Sequence, residues 1–152
     1  MSEKRTHKTL VLGIGNESRQ DDGLGWRFLQ FLESSHLEGL DLEYRYQLQI
    51  EDAECISRYG RVLFVDATHE HVNSGYYVRP CPGTHRDELG SHALRPETVV
   101  YLCERIFKKF PKCLVLGIEG SQWELKPGLT EDAERNLCNA QRYFKEELFD
   151  YL

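Results

Sequence analysis

The stretch Gly13-Ile14-Gly15-Asn16-Glu17-Ser18-Arg19-Gln20-Asp21-Asp22-Gly23-Leu24-Gly25 sets four glycines and two adjacent carboxylates between an apolar run and a helical pattern. A dinucleotide-binding turn also places glycines between a strand and a helix, but the match fails in detail. Ser18 stands where that fingerprint needs its third glycine, and Asp21 and Asp22 would repel a pyrophosphate at the helix N-terminus. No Lys-Ser or Lys-Thr pair follows to make a P-loop. One aspartate suits a helix cap, where a carboxylate satisfies free N–H groups and complements the dipole, and Asp21 is the better placed for it. That leaves Asp22 for another task. A third carboxylate, Asp66, ends the apolar run Val62–Val65, and the plain alternative for it is a turn residue bonding its own backbone. Beyond it come His69, His71 and His85, which read as solvated loop histidines, and His92 in Gly90-Ser91-His92. Two carboxylates and one imidazole would form an oxygen/nitrogen site with open positions, suited to zinc, nickel or another borderline divalent ion. Spacing alone does not select such a triplet, and the chain has no HExxH motif and no GxSxG nucleophile elbow.

The elements that must position these groups alternate along the chain. Thr9–Ile14 is a β-branched apolar run ending at Gly15, and Leu24, Phe28, Phe31 and Leu32 follow at helical spacing up to the turn at Gly39. Leu42, Tyr44, Tyr46 and Leu48 alternate with polar residues, which predicts a strand with one wet face. A short helix with Ala53, Ile56 and Tyr59 on one side is expected to stop at Gly60. Val62–Val65 and Cys113–Ile118 are further apolar strands, with Tyr76–Val78 an added short one. Pro96 suits the first position of a helix continuing through Val99, Leu102, Ile106 and Phe110. Thr130 can cap a last helix whose apolar stripe is Ala133, Leu137, Ala140, Phe144 and Leu148. Apolar strands alternating with helices predict an α/β fold with a mostly parallel sheet covered on both faces. In such sheets ligands bind outside the carboxyl ends of the strands, which directs attention to Gly15, to Asp66 and to the loops after them.

The bulk numbers agree with a single domain over residues 1–152: a chain of this length buries about 70% of its unfolded surface. A net charge of −6 argues against a nucleic-acid partner, and Lys108, Lys109 and Lys112 read as a solvated helix end. The five cysteines include no CxxC pair, and Cys103, Cys113 and Cys138 lie in apolar surroundings as small buried hydrophobes. Free thiols fit a reducing compartment, no secretory signal opens the chain, and no apolar stretch reaches the ~20 residues of a membrane span. The expectation is a soluble, cytoplasmic protein without membrane contact.

The unit GIGN-xxxx-DDGxG at Gly13–Gly25, Phe64-Val65-Asp66-Ala67, Ser91-His92 with Leu94, and Leu116-Gly117-Ile118-Glu119 followed by Leu129-Thr130-Glu131 together resemble the hydrogenase maturation endopeptidases. The resemblance runs over nearly the whole chain. It implies a three-layer α/β/α sandwich around a mostly parallel, twisted five-stranded sheet. Matched residue by residue, it places the metal-binding and catalytic groups at Asp22, Asp66 and His92. It further implies the substrate: a nickel–iron hydrogenase large-subunit precursor, already loaded with nickel, which loses its C-terminal extension. The nickel would be presented by the substrate, with zinc or another divalent ion an alternative in the free protein. A non-catalytic nickel-site checkpoint or chaperone on the same scaffold is the rival reading.

Overall fold

The computed structural model describes residues 8–85 and 94–152. Five strands form one sheet: β1 (Thr9–Ile14), β2 (Leu40–Arg45), β3 (Arg61–Thr68), β4 (Tyr76–Pro80) and β5 (Lys112–Glu119). Their order is β2-β1-β3-β5-β4. The first four in that order run parallel, and β4 closes the far edge antiparallel to β5. The apolar runs thus occupy the sheet centre, where both faces are covered. β1 is buried throughout, whereas β2, at an edge, is only half-buried.

Alternation along the central strands feeds two cores. Val11, Leu63, Val65, Leu116 and Ile118 face α1 (Leu24–Ser35) and α4 (Glu131–Tyr143). Leu10, Leu12, Val62 and Phe64 face α2 (Glu51–Ser57) and α3 (Pro96–Leu102). The result is the expected three-layer α/β/α sandwich. Phe28 of α1 meets Phe144, just past α4, edge-on at 5.5 Å, joining the two helices over the sheet. Thr130 caps α4 by accepting from the Ala133 N–H at 3.2 Å, and the stripe from Ala133 to Leu148 is buried. No helix among the described residues is long and apolar enough to cross a membrane.

Several boundaries differ from expectation. β2 starts at Leu40 and stops at Arg45, where its neighbour β1 leaves the sheet, so Tyr46 turns outward and Leu48 makes an isolated bridge to Leu94. α2 ends at Ser57 with Arg58 as its cap, and Gly60 does not take the left-handed conformation of a helix stop. α3 passes into a π-helical turn at Cys103–Phe107 and is halted by Lys108 at φ +54°. Its buried side is therefore Val99, Val100 and Cys103, while Ile106 and Phe110 are exposed. Cys138 also lies on the surface, because the buried stripe of α4 passes through Leu137.

Candidate active site

The strand order places a topological switch point between β1 and β3. The chain leaves β1 for β2 on one side, then crosses back to β3 on the other, so two connections diverge and leave a crevice at the carboxyl edge. β1 pairs with β3 only as far as Gly13 opposite Val65, while β3 continues beside β5 to Thr68. Asp66 is thus not the strand end that its sequence suggested. It is the first residue of β3 past the β1 pairing, on the wall of the crevice.

Asp22 reaches the same crevice because glycines allow the backbone to fold tightly. Gly15 has φ +148°, and a Cβ there would stand 2.0 Å from the Asp22 carbonyl oxygen. The loop then closes on itself: the Asn16 N–H donates to the Asp22 carbonyl at 3.1 Å, and the Asp22 N–H to that of Arg19 at 3.1 Å. A Cβ on Gly25 would lie 2.5 Å from the Ile14 carbonyl and 2.6 Å from that of Val65. The first turn of α1 therefore rests directly on the ends of β1 and β3, with Asp22 just before it and Asp66 just after Val65. Close approach at these glycines is made by the chain's own backbone.

The two carboxyls feel each other. Burial first, and then the negative charge of Asp22, push Asp66 up to about 7, opposed by the Ala67 N–H that donates to its Oδ1 at 2.8 Å. Asp22 is also raised by burial, an effect restrained by the Asn16 N–H and by the charges of Arg19 and His69. Two neighbouring carboxyls with raised affinity for protons can share one, leaving one member able to accept and the other to donate.

Asp21 does something else. It is fully buried and does not cap α1, whose start has no side-chain cap. Its Oδ2 accepts from the Ser121 and Gln122 N–H groups at 2.8 and 3.1 Å and from the Thr130 hydroxyl at 2.8 Å. Its Oδ1 accepts from the Thr130 N–H at 2.8 Å. Burial alone would raise this carboxyl, but the bonds from Ser121, Thr130 and Gln122 outweigh it and hold the pKa below the usual carboxylate range. The loop so pinned carries Trp123, whose ring stacks on His69 with centroids 3.9 Å apart.

His69 is therefore an exposed but oriented imidazole, near enough to Asp22 to lower the affinity of that carboxyl for a proton. The sequence reading left it solvated; its place three residues after Asp66, past the carboxyl end of β3, was the signal available. His71 is engaged with Glu119 at 3.2 Å, and His85 stacks on Tyr101 at 5.0 Å. His92, the third residue expected at the site, lies outside the described residues. Among the described residues no group of three His, Cys, Asp or Glu side chains is arranged to hold a metal.

No protein-family model and no curated protein matches this sequence. Solved structures do match its fold. The hydrogenase maturating endopeptidase HybD from E. coli superposes with a TM-score of 0.73 at 18% identity, over 95% of this chain and 93% of that one. The [NiFe] hydrogenase maturation protease HycI from Thermococcus kodakarensis gives 0.72 at 18% identity, over 93% and 92%. A hydrogenase 2 maturation peptidase from a Thaumarchaeota archaeon gives 0.66 at 18% identity, over 93% and 97%. This chain has the fold of the hydrogenase maturation endopeptidases, over nearly its whole length.

Proposed function

We propose that this chain is an endopeptidase that removes the C-terminal extension from the large-subunit precursor of a nickel–iron hydrogenase once nickel has been inserted. The observation that carries the reading is the pairing of Asp22 and Asp66 across the β1/β3 switch point, on a fold shared with endopeptidases of that process. Asp22 and Asp66 are the catalytic and metal-engaging carboxylates, with His92 as the third group. Nickel belongs to the substrate: hard carboxylate oxygens recognise the ion that the precursor presents.

At the scissile peptide the pair has two complementary tasks. Asp22, whose affinity for a proton is raised by burial against the opposing charges of Arg19 and His69, accepts a proton from the attacking water. Asp66, which near neutral pH still holds a proton part of the time, donates to the departing amine. The cysteines of the chain are free thiols, consistent with action in the cytoplasm.

The test is mass spectrometry of nickel-loaded precursor incubated with the purified chain. Loss of a C-terminal peptide by the unaltered chain, and none with Asp22→Ala or Asp66→Ala, is the expected result. An intact precursor bound in a stable complex would instead identify a non-catalytic checkpoint module.

A further inference from the structure

A groove of about 700 Å³ opens beside the carboxyl end of β2, between that strand, α2 and the first turn of α1. Its aromatic wall is built rather than incidental. Trp26 donates its indole N–H to the Arg45 carbonyl at 2.9 Å, which fixes the ring. Tyr46 stacks on that ring at 4.9 Å and Tyr44 meets it edge-on at 5.3 Å. Tyr46 is nevertheless 69% exposed, so one face of a preoriented ring is offered to solvent. The charged lining is predominantly acidic. Arg45 is occupied by the buried Asp52 at 2.9 Å and by Glu43 at 3.2 Å, and Arg58 by Glu54 at 3.4 Å. Glu51, also exposed, has no ion-pair partner among the described residues.

We propose that this groove docks an extended, cationic polypeptide segment, with an arginine or lysine of that segment lying on the exposed Tyr46 ring beside Glu51. A cation over an aromatic face is attracted by the ring quadrupole, and the acidic rim adds a field of matching sign. The proposed contacts are made by side chains, and the Tyr44 carbonyl of this edge strand is already taken by the Arg45 guanidinium at 3.0 Å. The groove is also within reach of the carboxyl pair. β2 and β3 flank β1, so the end of β2 stands two strand spacings from Asp66, roughly 10 Å. About three residues of extended chain cover that distance. Resting on the endopeptidase reading, the groove assigns the substrate a basic segment roughly three residues from the bond that is cut.

The probe is a pair of blocked nine-residue Gly/Ser peptides, one with two arginines and one with two glutamates at the same positions, titrated into the full chain. The readout is the indole N–H resonance of Trp26, assigned with Trp26→Phe. The arginine peptide is expected to shift that resonance saturably and leave Trp123 unmoved, while the glutamate peptide does nothing. Tyr46→Ser and Glu51→Gln should each weaken binding, Tyr46→Ser by about fivefold. Equal shifts with both peptides, no shift with either, or a dimer in sedimentation that covers the groove would each overturn the proposal. In the processing assay Tyr46→Ser should raise KM severalfold at unchanged kcat. A wild-type chain that cuts no precursor refutes the endopeptidase reading, and the peptide titration then decides the groove alone.

Discussion

Asp21 and Asp22 are neighbours in sequence and end in opposite electrostatic conditions. Asp21 gains N–H and O–H donors from Ser121, Gln122 and Thr130, so its charged form is favoured. Its folded pKa is lowered, so the stability it contributes is present above the unfolded value of 3.8 and is lost as pH falls through the folded value. Asp21→Asn keeps the shape but sets an amide against those donors, and should cost on the order of 3 kcal/mol in urea unfolding at pH 7. Asp66 is the reverse case. Its pKa rises from 3.8 unfolded to about 7 folded, so the folded state binds the extra proton, and stability is lost as pH climbs through that window. Asp66→Asn cannot ionise and escapes that loss. It should match the wild type near pH 4 and exceed it at pH 8 by on the order of 2 kcal/mol, about half the full linkage value because the residue is partly exposed. The same variant should lose processing activity by at least ~100-fold. Equal stability curves for Asp66→Asn and wild type would mean that Asp66 is an ordinary solvated carboxylate.

At the scale of elements, the turn after β1 works only if α1 can touch the sheet. Gly25→Ala would drive a Cβ into the Ile14 and Val65 carbonyls and push the helix start outward. Unfolding by urea should show a loss of about 1–3 kcal/mol, and because Asp22 moves with that turn, cleavage should fall further than stability accounts for. Retained activity with full stability would show that the helix start is not the positioning device. This contact was half legible in the sequence. The glycines announced a tight turn, but whether the close neighbour was a ligand or the chain's own carbonyls depends on where β3 lies, and pattern does not encode that. The three central strands were legible because burial on both faces demands continuous apolar runs. The end of α3 was not, since Ile106 and Phe110 keep helical spacing while Lys108 breaks the helix between them. Asp21 read as a cap for a different reason: its true partners lie at least 100 residues away.

For the whole molecule, the consequence of this architecture is that two carboxyls stand together at the β1/β3 switch point, where sheets of this kind bind ligands. Two oxygen donors can grip an ion already held by other ligands, and a divalent cation brought beside them favours their charged forms. A precursor carrying nickel would therefore fit the crevice better than an empty one, and its ion could polarise the scissile carbonyl or the attacking water, lowering the barrier by several kcal/mol. Cleavage would then report correct metal loading, because the empty precursor lacks the charge that the carboxyls are arranged to meet. The prediction is that purified precursor is cut when nickel-loaded and stays intact when nickel-free, in buffer stripped of divalent ions. Asp22→Asn and Asp66→Asn should each leave the loaded precursor intact as well, and should weaken its retention by the chain in a pull-down. Equal cutting of loaded and empty precursor by the wild-type chain would overturn nickel recognition and leave Asp22 and Asp66 acting as a carboxylate dyad on water alone.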